Sequence, residues 1–229
     1  MRALPRAAPA AGESSRAALL AAGTELFARY GFSGASVERI ARRARVNRAM
    51  VSYHFGGKKK LYQQVLGAGL AELERRVGAI CRSSGPAPLR LREFVAAFAE
   101  VATRQACFPA MMLREVLSGG HLLDEKLVAH LAAIFGLVRE IVAQGVREGS
   151  FRPVDPMLTH LGLIGSLVFY FATAPARNRL IATGSFPLRR APLSTDYVRH
   201  IQELMTLGLT APAAASSRRR KHGQARRHR

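Results

Sequence analysis

The sequence predicts an all-α protein, and three observations carry that prediction. Tryptophan is absent and only 7% of the 229 residues are aromatic, whereas Ala, Leu and Arg, which favour helix over strand, are frequent. Apolar residues recur at helical spacing in one segment after another, with no strand pattern of useful length between them. Clusters of Gly, Pro and Ser punctuate those segments at helix-length intervals. With 48% hydrophobic residues, the chain can bury a sizeable core and is neither disordered nor fibrous as a whole.

The elements follow in order. An Ala/Pro/Arg-rich head, residues 1–13, is expected to be disordered. Ser14 or Ser15 caps a helix running to Tyr30, with Leu19, Leu20, Ala22, Leu26, Phe27 and Tyr30 at helical spacing. Gly31 ends it. Ser36 caps a short helix, Val37–Ala44, and after a turn of Arg45, Val46 and Asn47 a third runs from Arg48 to about His54. Gly56 and Gly57 precede a long helix, Lys58 to about Cys81. The stretch Ser83–Pro88 is the clearest internal breaker. Helical patterns then occupy 89–107, 110–117, 122–148, 155–173 and 176–182, and a last helix opens at Ser194 or Thr195 and ends near Leu209. The resulting division is head 1–13, helix-turn-helix unit 14–62, second helical domain 63–212 and basic tail 213–229.

Charge separates these regions. The net charge is +20, and residues 16–62 hold ten Lys/Arg against two Glu, giving +8. Residues 63–215 hold sixteen against twelve, giving +4, and residues 216–229 hold seven against none. A compact basic segment and a basic tail attached to a near-neutral body are the footprint of a polyanion binder. The two cysteines, Cys81 and Cys107, make no disulfide framework and suit a reducing cytosol. Residues 1–15 do not resemble a secretory signal. The uncharged run 156–176 is diluted by Thr159, His160, Ser166 and two prolines, which favours a buried interface helix over a membrane span.

The helix 37–44, its turn and the helix from Arg48 have helix-turn-helix dimensions. In such a unit the second helix enters the major groove and the first crosses the phosphate backbone. Ile40, Ala41, Val46, Val51 and Phe55 hold the helices together, which leaves Arg48, Ala49, Ser52, Tyr53 and His54 facing DNA. Small residues at 49 and 52 permit close approach, and Ala49 suits a thymine methyl. Lys58, Lys59 and Lys60 open the next helix, where ammonium and backbone N–H groups can meet one phosphate.

The run Leu19–Phe32 resembles the first helix of TetR-family transcriptional regulators, Ala35–Ala41 the second, and Tyr53–Tyr62 the end of the recognition helix with its following lysines. The resemblance covers about residues 15–66. It implies a homodimer of all-helical subunits that binds double-stranded operator DNA, most often a repressor released by a small apolar or amphipathic effector. It places Ser36 at a phosphate, Arg48, Ala49, Ser52, Tyr53 and His54 at the recognition contacts, and Lys58 at the phosphate-binding lysine. Two departures stand out. Arg45 replaces the usual turn glycine, at a cost of roughly 1–2 kcal/mol if φ is positive there, which a phosphate contact would offset. Ser52 stands where many members carry tyrosine, so base preference does not transfer.

In the second domain, Phe108, Met111, Met112, Glu115, Phe135, His160 and Phe169 are candidates to line an effector pocket, because apolar inter-helical pockets with a few polar groups are usual ligand sites. Gly162, Gly165, Ser166 and Phe169 are candidates for a dimer interface, since small residues three and four apart let another backbone approach. No metal-ligand spacing, phosphate loop or catalytic constellation is present in the sequence, so neither enzyme activity nor a cofactor is expected. The expected setting is the cytoplasm with no membrane partner. A non-specific architectural DNA-binding protein is the alternative, on the strength of the tail and total charge.

Overall fold

The computed structural model describes residues 11–184 and 193–211. The expectations for head residues 1–10 and for the basic tail lie outside the described residues, whereas residues 11–13, expected to be disordered, are helical. Ten α-helices are present among the described residues, and an isolated backbone bridge from Phe151 to Thr210 is the only extended pairing there.

Helix α1 (Ala11–Gly34) starts before the expected serine caps and carries a break at Gly31, whose φ of 69° and ψ of −178° are non-helical. Helix α2 (Val37–Ala44) is capped by Ser36, whose side chain accepts from the Arg39 N–H. Helix α3 (Ala49–Phe55) begins one residue later than expected; Arg48 is the residue before it, and Asn47 Oδ1 accepts the Ala49 N–H at 2.8 Å. Helix α4 (Lys58–Arg82) runs unbroken across the expected boundary at 62/63 and makes the spine of the molecule. Leu61, Tyr62, Leu66, Leu70, Leu73 and Val77 are all buried along it.

Around that spine pack α5 (Ala87–Arg104), α6 (Phe108–Leu117) and α7 (Glu125–Arg147), followed by α8 (Pro156–Ala172), α9 (Ala174–Ala182) and α10 (Ser194–Leu209). Among the described residues, helix α7 is the one helix long and apolar enough by itself to cross a membrane, but it lies against α4, α5 and α8 and buries Leu127, Ile134, Val138, Ile141 and Val142 there. Asp124 caps it through the Leu127 N–H, and Asp155 caps α8 through the Leu158 N–H, as short acceptor side chains do at these positions. The Phe108 ring seats on Gly69, where an added Cβ would stand 2.3 Å from a ring carbon. Glycine at 69 is what lets α6 lie this close to α4.

Candidate nucleic-acid interface

Helices α2 and α3 are joined from within. Ile40, Ala41, Val51 and Phe55 are buried, and Val46 packs half-buried against the same core. Burying a side chain of this size contributes roughly 1.5–3 kcal/mol, so the pair is held as a unit by its inner face. Arg45 closes α2 in the left-handed conformation at φ 58°, the only described non-glycine residue with positive φ. Its N–H reaches the carbonyl of Arg42 at 3.1 Å, and its own side chain is exposed. The strain expected from the sequence is therefore present.

The opposite face of α3 is open. Arg48, Ala49 and Ser52 are exposed and Tyr53 is 79% exposed. His54 differs from its expected place: its ring is half-buried, lies edge-on to both Tyr53 and Phe55, and keeps Nε2 out of solvent. Its position at the last turn of α3, beside buried Phe55, turns the imidazole inward. Ser36 is half-buried, with its hydroxyl oxygen engaged in the cap at 3.2 Å.

The three lysines at the start of α4 have three different settings. Lys58 Nζ lies 4.4 Å from the centre of the Phe32 ring, and partial burial pulls its pKa down while Glu38 opposes the shift. Lys59 is exposed. Lys60 Nζ pairs with Asp124, the cap of α7, at 3.6 Å. Sequence reasoning treated the three as one basic patch, whereas Lys60 is tied to the second domain.

A second group missed by the sequence reading is Glu38, which pairs with Arg48 at 3.4 Å between α2 and α3. A third is Arg114 of α6. Its guanidinium donates to the carbonyls of Phe27 at 3.1 Å and Ala28 at 2.6 Å, near the end of the first segment of α1. A cation placed on carbonyls near a helix C-terminus is stabilising, typically by about 0.3–1 kcal/mol. Next to it, Glu115 is 1% exposed and accepts from the Tyr62 hydroxyl at 3.2 Å and the Leu122 N–H at 2.9 Å. Burial, and then the Glu115 charge, push the Tyr62 phenol well above its usual pKa. The Leu122 carbonyl in turn accepts from Gln63 Nε2 at 2.8 Å. Helix α6 thus grips both α1 and α4 with adjacent charged residues.

The seven effector-site candidates do not form one wall. Phe108, Met111, Met112 and Glu115 are buried together on α6. Phe135 and His160 meet edge-to-face at 5.3 Å where α7 passes α8, and burial lowers the His160 pKa. Phe169 is 63% exposed; as a pocket residue it is misplaced, because Leu163, Leu167 and Tyr170 take the inner side of α8. Among the dimer candidates, Gly162 and Gly165 have nothing within 4 Å of an added Cβ. Ser166 is half-buried and donates to the Gly162 carbonyl at 2.6 Å. Together with exposed Leu158, Leu161 and Phe169 these residues make an open apolar stripe along α8, and Leu204, Leu207 and Gly208 leave a similar one on α10. No group of three or more potential metal ligands occurs among the described residues.

Residues 19–65 match the family described as bacterial regulatory proteins of the tetR family, and residues 84–171 match the Tetracyclin repressor-like C-terminal domain. The HTH-type transcriptional repressor NicS of Pseudomonas putida is 27% identical over 201 residues, 86% of this chain and 93% of NicS. The HTH-type transcriptional regulator RutR of Escherichia coli is 26% identical over 208 residues, 86% of this chain and 94% of RutR. Among solved structures, the transcriptional regulator FadR from Bacillus subtilis in complex with stearoyl-CoA superposes with a TM-score of 0.64 at 14% identity, covering 84% of this chain and 98% of FadR. That last likeness concerns the fold.

Proposed function

The chain belongs to the TetR family of bacterial transcriptional regulators, and from that premise we propose that it is a cytoplasmic homodimeric repressor released from its operator by a small apolar or amphipathic effector. The observation that carries the reading is the two-sided α2–α3 pair, apolar and buried within, exposed and basic without. Helix α3 would enter the major groove with Arg48, Ala49, Ser52 and Tyr53 toward the base edges, while Ser36, Arg45 and Lys58 address phosphates. Gly162, Gly165, Ser166 and Phe169 of α8, with the outer face of α10, would meet their counterparts in a second copy. The name of NicS, a repressor, and the stearoyl-CoA bound by FadR support repression and an amphipathic effector.

An effector entering between α6 and α8 would press on Phe108, Met111 and Met112. Because Arg114 and Glu115 lie on the same helix and hold α1 and α4, displacement of α6 would move the α2–α3 unit relative to its mate. The coupling needs only a two-state position of α6 that effector and DNA bias in opposite directions. A footprint at one short palindrome, maintained against excess random duplex, tests the reading. Uniform protection that random duplex abolishes would favour the architectural alternative instead.

A further inference from the structure

Resting on the reading that α2 and α3 face the duplex, we propose that Glu38 is a specificity-determining residue that acts by positioning Arg48. Its carboxylate holds the guanidinium of the recognition helix for base edges and denies it to phosphates. Residues 16–62 contain two acids among ten cations. Glu25 is spent elsewhere, on Arg43 across α1 and α2 at 2.8 Å. Glu38 lies in the candidate interface itself, second residue of α2, within 3.4 Å of Arg48 Nη1 and close enough to Lys58 for each to act on the other's ionisation. Its own backbone N–H and the Ser36 side chain, then Arg48 and Lys58, hold its carboxyl below the usual carboxylate range. The group is ionised at neutral pH.

An ionised carboxylate among phosphate contacts repels them, so it discriminates between two uses of Arg48. Arginine has five donors in a fixed fork, and Glu38 engages a single Nη1. The rest of the fork remains available for the paired acceptors of guanine in the major groove. For Arg48 to swing onto a phosphate instead, it must leave the Glu38 carboxylate without its guanidinium beside the same polyanion. That penalty falls on the sequence-independent mode, and specificity is the difference between the two modes. The pair is exposed and therefore weak, so it biases Arg48 without locking it. A carboxylate in the first turn also suits the helix dipole, but that role would change stability and not the choice of duplex.

The test uses the full-length protein, the duplex that it enriches from a random pool, and an unrelated duplex of equal length. Glu38→Gln should raise affinity for the unrelated duplex about threefold, steepen its log K against log salt line by about one unit, and lower the preference for the enriched duplex about tenfold. In an Arg48→Ala background the same substitution should change that preference less than twofold. Glu25→Gln, which removes equal charge, should leave the preference unchanged. The proposal is overturned if Glu38→Gln leaves preference and slope unchanged, if its effect persists without Arg48, or if Glu25→Gln reproduces it. If the wild-type protein enriches no duplex, the functional reading itself falls, and this proposal with it.

Discussion

The α2–α3 face and the α8–α10 face are both open to solvent, and they differ in what they leave open. On the first, Arg48, Ser52, Tyr53 and Lys59 present charge and hydrogen-bonding groups, and an acid, Glu38, is interleaved with the cations. Water satisfies such a surface, so a single subunit can carry it indefinitely. On the second, Leu158, Leu161, Phe169, Leu204 and Leu207 stand exposed around bare glycines. Removing apolar area from water is favourable by roughly 25 cal/mol per Å², so that face gains from any apolar cover, which in the proposed dimer is a second copy, and the first suits a polyanion. The contrast teaches that exposure by itself identifies no partner; the chemistry of what is exposed does.

The largest expected effect breaks the comparison at its apolar side. Gly165→Arg should place an unpaired charge in the dimer contact, give a helical monomer by sedimentation, and lower operator affinity at least about 100-fold, since one recognition helix must then bind alone. Next comes the charged side. Tyr53→Ala should lower operator affinity about tenfold, within the roughly 1–3 kcal/mol typical of a specific base-pair contact, with the dimer and the thermal midpoint unchanged. Lys58→Ala should weaken operator and random duplex alike, by a few-fold, and flatten the salt slope by about one unit. Titration on both duplexes checks the pair, and equal loss on both for Tyr53→Ala would remove it from base recognition.

Two smaller effects sharpen the contrast. Arg45→Gly should relieve the left-handed strain at φ 58° and stabilise the protein by about 1 kcal/mol while weakening DNA binding, measured by chemical denaturation beside titration. A gain in both would mean that Arg45 has no phosphate. On the other side of the molecule, burial holds the His160 pKa below its usual value. Its neutral form is favoured by the fold, so the stabilisation is complete above the unfolded pKa of about 6.5 and is lost as pH falls from there through the lower folded pKa. His160→Gln should flatten the fall in thermal midpoint between about pH 7 and pH 5; an unchanged pH profile would exclude it.

What the sequence shows of these faces follows from the range of the interactions. Ser36 as a cap, the turn at Arg45 and the inner residues Ile40, Val51 and Phe55 are legible because cap, turn and periodicity are local. The apolar stripe on α8 is legible for the same reason. Glu38 and Arg48 are ten residues apart, on different helices, and a pattern search on either helix alone misses them. The grip of Arg114 on Phe27 and Ala28 spans 87 and 86 residues, and Lys60 finds Asp124 only because α7 begins beside α4. His54 was misread because helical spacing gives the direction of a side chain but not the neighbour, Phe55, that its ring leans on. The effector candidates scattered for a related reason: apolar residues of α6, α7 and α8 look alike in sequence, and only packing shows which of them meet.

In the proposed dimer the two faces act together, the apolar one pairing subunits so that two charged ones read DNA at once. Sedimentation of the full-length protein on its enriched duplex, with and without one half of the repeat, tests this most directly. Two copies, or a multiple of two, are expected per intact duplex, with half-site centres one helical turn or a multiple apart and a loss of at least about 100-fold when one half is scrambled. A single copy per duplex, or a loss of less than about twofold on scrambling, would contradict it.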